Sequence, residues 1–157
     1  MVSLEGERAS IPLLDTEFSE RNAALSPDGR WLAYASDESG QFEIYVRPIP
    51  DVDAGKWQGS SDGGRWPLWS PDGRELFYLG PQAMMVVAIQ TGPTITLGRR
   101  EPLFDTVPYY TGNISRRVAI SPDGQRFLML KEGAAPLPGI VVVQNWFEEL
   151  KRLVPTN

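Results

Sequence analysis

The chain has 157 residues, 41% of them hydrophobic and 22% charged, the length and balance of one globular domain with its own core. Fifteen basic against twenty acidic side chains leave a formal charge of −5, which argues against a nucleic-acid partner held by phosphate neutralisation. Cysteine and histidine are both absent, so these residues supply no disulfide, thiolate nucleophile, thiolate or imidazole metal ligand, or histidine-relayed triad.

From the N-terminus, Met1 to Glu7 lacks the basic start and apolar middle of a secretion signal, and no apolar run is long enough to cross a bilayer. No membrane insertion is expected, and the chain carries no address that fixes its compartment. Ala9 to Leu14 reads as an isolated strand. The phrase SPDGRWLAY then begins at Ser26 and returns as SPDGRELFY from Ser70 and SPDGQRFLM from Ser121. Each copy has the grammar of a hairpin: Ser opens the turn, Pro presets φ, Asp follows, and Gly takes positive φ. A type I turn with a left-handed glycine predicts a three-residue loop with a bulge.

Strands flank each turn: Asn22 to Leu25 and Trp31 to Ser36, Arg65 to Trp69 and Glu75 to Leu79, Arg117 to Ile120 and Arg126 to Leu130. The strands after the turns are apolar at nearly every position, so both of their faces should be covered. A third strand follows in each unit, at Phe42 to Val46, Met84 to Ile89 and Ile140 to Val143. More polar fourth strands fall at Lys56 to Ser60 and Thr94 to Phe104. The units are residues 22–60, 65–104 and 116–144. Small sheets buried on both faces and repeated at such intervals predict an all-β chain with the blades of a β-propeller. Asn145 and Glu148 form a capping box for a short amphipathic C-terminal helix over residues 145–154, which Pro155 ends.

SPDGRWLAYASDESGQFEIYVRP and WSPDGRELFY resemble the repeats of TolB-like six-bladed propellers. The ending VVVQNWFEELKRLVP is similar to that of propeller domains attached to bacterial serine/threonine kinases and transcriptional regulators. The resemblance implies a non-catalytic binding or sensing module, with no catalytic residue to carry over and no cofactor. Relatives of this kind are often extracytoplasmic. Three four-stranded blades make half of a six-bladed ring, so a homodimer is expected to complete it. Residues 9–14 would supply the missing strand of the partner's third blade. Residues 1–80 carry a net charge of −7 and residues 81–157 a net charge of +2, a polarity that suits such a pairing.

In a propeller the innermost strands line a central channel. Asn22, Arg65, Trp66, Arg116 and Arg117, at the entrances of those strands, are therefore the candidate contacts for a peptide, a protein or a small anionic ligand. Trp69, beside its turn, is expected to pack between blades. Asp28, Asp72 and Asp123 recur with the turns and should each accept local backbone hydrogen bonds rather than converge on a metal. Asp51-Val52-Asp53-Ala54-Gly55 opens like a calcium loop but lacks the later ligands, and no metal site is expected. The turn phrase also resembles the aspartate box of sialidases, though with altered Asp–Gly spacing. A histidine-free glycosidase using Arg99, Arg100, Arg116, Arg117, Tyr109 and Tyr110 is thus an alternative, as is a structural fragment of a longer propeller protein.

Overall fold

A computed structural model describes residues 12–107, 109 and 118–131. The chain is all-β. The first sheet contains β1 (Glu20–Leu25), β2 (Trp31–Ser36), β3 (Glu43–Pro48) and β4 (Trp57–Gln58), and the second contains β5 (Arg65–Trp69), β6 (Glu75–Leu79), β7 (Ala83–Thr91) and β8 (Ile95–Asp105). Each is antiparallel with strands in chain order. β9 (Val118–Ile120) and β10 (Phe127–Met129) form a third antiparallel pair. The expected third strand of that unit and the C-terminal helix lie outside the described residues. No helix among the described residues is long and apolar enough to cross a membrane.

The three turns are copies of one hydrogen-bonded device. In the first, the Gly29 N–H donates to the Ser26 carbonyl at 2.9 Å, and Gly29 has φ +70°. The Ser26 hydroxyl donates to Asp28 at 2.6 Å and accepts from the Trp31 N–H at 3.0 Å, while Asp28 accepts from the Arg30 N–H at 3.1 Å. Ser70, Asp72 and Gly73 repeat this network, as do Ser121, Asp123 and Gly124. Four residues, not three, separate Ser26 from its ladder partner Trp31. The additional one, Arg30, has its N–H satisfied by the Asp28 carboxylate, so the longer loop leaves no backbone donor stranded.

Of the apolar strands expected to be covered on both faces, β2 and β6 are so covered, whereas in β10 Leu128 is 69% exposed. Trp31, Ala33, Ile44 and Val46 of the first sheet pack against Trp69, Leu76, Tyr78 and Val87 of the second. The second sheet's opposite face, through Leu68, Phe77 and Met84, packs on Val118, Phe127 and Met129. Burial of this kind contributes on the order of 25 cal/mol per Å² of apolar surface removed from water. Specific polar links add register: the Trp69 indole N–H donates to the Ala24 carbonyl at 3.1 Å, and Arg100 donates to the carbonyls of Gly59 and Gln58 at 2.9 and 2.7 Å. Trp69 therefore sits between sheets, as its place beside the turn predicts.

Successive turns also lie close together. A Cβ on Gly73 would stand 3.6 Å from Cδ of Pro27, and one on Gly124 would stand 3.3 Å from Cδ of Pro71. The same approach is made twice. At the first turn nothing lies within 4 Å of the corresponding point on Gly29.

Of the strand expected over residues 9–14, the described part, residues 12–14, is irregular. Leu13 and Leu14 pack on Leu32, Tyr34 and Tyr45, on the first sheet's outer face. These leucines are thus used within their own chain, where they shield an apolar face from water.

Candidate functional site

β1 and β5 begin alike. Each carries an irregularity in its pairing, between Arg21 and Ala24 in β1 and between Arg65 and Leu68 in β5. Immediately after each arginine stands a non-glycine residue in the left-handed region, Asn22 at φ 58° and Trp66 at φ 55°. Asparagine tolerates this conformation, whereas for a bulky residue such as tryptophan it is an outlier costing on the order of 1–2 kcal/mol. Bulges of this kind re-aim the side chains beside them.

The two bulges face one another across Phe42. The guanidinium carbon of Arg21 lies 4.8 Å from the Phe42 ring centroid and that of Arg65 lies 5.3 Å from it. Arg21, Asn22, Phe42, Arg65 and Trp66 line a cavity of about 190 Å³. Phe42, Arg65 and Trp66 also belong to the wall of a larger cleft of about 350 Å³, which runs past Gly63 and Gly64 to Leu79 and Pro81. Three of the five residues anticipated from the sequence, Asn22, Arg65 and Trp66, are thus brought together. Arg116 and Arg117 lie outside the described residues.

Behind the cleft wall, a buried carboxylate holds two of its lining residues, Gln41 and Gly63. Glu43, only 1% exposed, accepts from the Gln41 side-chain amide at 2.6 Å, from the Gly63 N–H at 2.8 Å and from the Ser60 hydroxyl. That hydroxyl in turn accepts from the Ile44 N–H at 2.7 Å, and the Gly64 N–H donates to the Phe42 carbonyl at 2.8 Å. Residues 59–64, which carry the chain from the first sheet to the second, are therefore pinned to β3 just before Arg65 and Trp66. Gly64 has to be glycine here, because a Cβ would meet Ser60 Oγ at 2.6 Å and Ile44 Cγ1 at 2.7 Å.

Arg21, Phe42 and Glu43 are the site residues that sequence reasoning missed. Two signals were present: an arginine stands five residues before Ser26, Ser70 and Ser121 alike, and Glu43 is an acid inside an apolar strand.

The groups considered for glycosidase chemistry fall elsewhere. Arg100 is engaged with backbone carbonyls of the neighbouring sheet, and with Arg99 it borders an adjoining cleft that includes Tyr78 and shares Asp62, Gly63 and Pro81 with the first. Burial raises the Tyr78 phenol above its ordinary range, partly offset by the Arg100 charge, so this tyrosine is not activated as a nucleophile. Tyr109 packs edge-to-face on Phe104 at 6.4 Å. Arg116, Arg117 and Tyr110 lie outside the described residues. Asp28, Asp72 and Asp123 each serve their own turn. Their carboxyls are held below the usual range, chiefly by the hydroxyl bonds from Ser26, Ser70 and Ser121. The segment expected to resemble a calcium loop folds as one 3-10 turn, Val52–Ala54, with Arg47 donating to the Val52 carbonyl at 2.8 Å. Among the described residues no cluster of three or more acidic side chains is placed to hold a metal ion.

No family model matches the chain. Over 68 residues it is 35% identical to a protein of Bacillus subtilis (strain 168) named as the uncharacterized peptidase YuxL, an alignment that covers 43% of this chain and 10% of that protein. The chain is thus similar to a short part of a much longer relative, and it spans about a tenth of that relative's length.

Proposed function

We propose that the chain is a non-catalytic binding module of TolB-like β-propeller type, half of a six-bladed ring that a second copy completes, with its ligand held near the channel at the inner ends of β1 and β5. The ligand would be a peptide, a protein segment or a small anion contacted by Asn22, Arg65 and Trp66, with Arg116 and Arg117 at the sequence-equivalent positions of the third unit.

The observation that carries this reading is the repeated approach of one turn to the next. Pro27 lies beside Gly73 as Pro71 lies beside Gly124, which is what one blade-to-blade operation applied twice produces. Applied once more, it would seat the partner's Pro122 against Gly29, where there is open space. Apolar side chains at both ends of the stack favour closure. Leu25, which pairs with Leu32 on the first sheet's outer face, is 59% exposed, and Leu128 of the third unit is 69% exposed. Leu13 and Leu14 cover part of the first end, so the partner would meet that face beside them rather than exchange them.

Solution mass tests the ring. A homodimer has twice the 17.5 kDa of one chain, and light scattering that returns a monomer at micromolar concentration rejects closure by a second copy. A monomer would instead favour a second reading, a stretch of a longer propeller whose other blades belong to the same polypeptide. That reading draws on the short alignment within a longer relative. The relative's name does not extend peptidase chemistry to these 157 residues, which have neither the histidine nor the cysteine that Ser-His or Cys-His catalysis uses.

A further inference from the structure

We propose that Arg21 and Arg65, converging on Phe42, form a two-guanidinium seat for a carboxylate, and that the adjoining cleft takes the apolar body carrying it. This rests on the binding-module reading above and narrows its ligand to one chemical class.

Two cations approach a single ring, at 4.8 and 5.3 Å. Each is attracted to the ring, and both line the same small cavity, so an anion placed there would lie beside two guanidiniums. A guanidinium presents its N–H groups in a planar fork, which grips a carboxylate through two parallel bonds. Arg21 is exposed and forms no ion pair among the described residues. No acidic side chain among the described residues lines the 190 Å³ cavity. A cavity of that size admits a head group rather than a whole drug-sized ligand. The 350 Å³ cleft continues from it; Trp66, Leu79 and Pro81 give it an apolar wall for an aromatic or aliphatic body, while Gln41 and Asp62 also line it. Both arginines precede left-handed residues at matching bulges. Arg65 and Trp66, adjacent in sequence at this bulge, both line the same cavity, although successive residues of a regular strand face opposite ways.

The test uses the full ¹⁵N-labelled chain and follows arginine Nε–H and tryptophan indole resonances by NMR. The probes are phenylacetate, its neutral isostere phenylacetamide, phenyl phosphate, and N-acetyl-alanyl-phenylalanine. Saturable shifts with phenylacetate and none with phenylacetamide are expected. Arg21→Gln and Arg65→Gln should each weaken phenylacetate binding roughly tenfold, with Arg21→Lys retaining part of the affinity. A tighter response to N-acetyl-alanyl-phenylalanine than to phenylacetate would identify the carboxylate as a peptide terminus, and the reverse would identify it as a small free acid.

Equal response to phenylacetamide, tighter binding of phenyl phosphate, no saturation by about 10 mM, or unchanged affinity in a folded Arg21→Gln chain would each overturn the proposal. Arg21 is exposed, so its variant is expected to keep the parent thermal midpoint. Light scattering on the same samples separates the two readings. Carboxylate binding by a monomer retains the seat and discards the ring, and a dimer without carboxylate binding does the opposite.

Discussion

Glu43 provides a sharp test of how the site is held. Its carboxylate is buried and receives the Gly63 N–H, the Ser60 hydroxyl and the Gln41 amide. Glu43→Ala strips these donors of their acceptor. Ser60 is fully buried and Gly63 partly so, which leaves water little room to replace it. A hydrogen bond to a charged group contributes about 1.5–3 kcal/mol, and a buried donor left unsatisfied costs about 1–3 kcal/mol. The expected loss is therefore about 3–5 kcal/mol, a large part of the 5–15 kcal/mol typical of a domain. Glu43→Gln preserves volume and one acceptor but sets an amide N–H against another donor, for a loss of about 1–2 kcal/mol. Urea unfolding at pH 7, monitored by circular dichroism, should rank the parent above Gln and Gln above Ala, with similar slopes against urea. A loss below about 1 kcal/mol for Glu43→Ala would refute the claim that this carboxylate holds the crossing between sheets.

Gly64→Ala should be destabilising by roughly 1–3 kcal/mol, because its methyl would enter the space of Ser60 Oγ and Ile44 Cγ1; an unchanged thermal midpoint would show that the crossing can move aside. The turn carboxylates make stability depend on acid. Asp28, Asp72 and Asp123 have folded pKa values below the ordinary one, so their contribution is complete above the unfolded carboxylate range, near pH 4, and fades as pH falls through the lower folded values. Replacing Ser26, Ser70 and Ser121 together by Ala should return these carboxyls toward their usual range by NMR titration and flatten the rise of stability with pH below about pH 4. An unchanged slope would mean that the serine hydroxyls do not set it.

The most legible parts of the fold were those governed by the turn phrase. Trp31–Ser36, Arg65–Trp69 and Glu75–Leu79 have the bounds expected from it, because a hairpin with fixed polar bonds dictates where pairing resumes. Strands farther from a turn end where their partners end. β7 runs to Thr91 rather than Ile89 because β8 continues beside it, pairing Thr91 with Ile95. β4 shrinks to Trp57 and Gln58 because Gly59 and Ser60 are diverted into the network around Ile44 and Glu43. At the candidate site, the expectation of inner strands lining a channel singled out Asn22, Arg65 and Trp66, which the fold gathers around one cavity. It could not foresee that Phe42, from the loop before β3, would be the surface on which two arginines meet. That contact depends on how two sheets pack, which no local pattern encodes. Nor does any propensity place tryptophan at positive φ, so the twin bulges were visible only in three dimensions.

The two strained residues and the pinned crossing have a common physical logic. A bulge can hold Trp66 left-handed only if the chain on either side is immobilised, since otherwise a small rotation would release the strain. Downstream, Pro67, Leu68 and Trp69 are buried in β5, and the Trp69 indole is bonded to Ala24. Upstream, Glu43 grips Gly63, and Phe42 accepts from Gly64. Phe42 and Glu43 are adjacent, so the residue that receives both guanidiniums and the residue that fixes the crossing move as one piece of backbone. Loss of the Glu43 carboxylate should therefore disturb the Arg65–Phe42 approach before it disturbs the Arg21–Phe42 approach, because only Arg65 is reached through the crossing. In the phenylacetate titration, Glu43→Gln should accordingly reduce the shift at the Arg65 Nε–H more than at the Arg21 Nε–H. Equal attenuation at both would mean that Phe42, rather than the crossing, had moved.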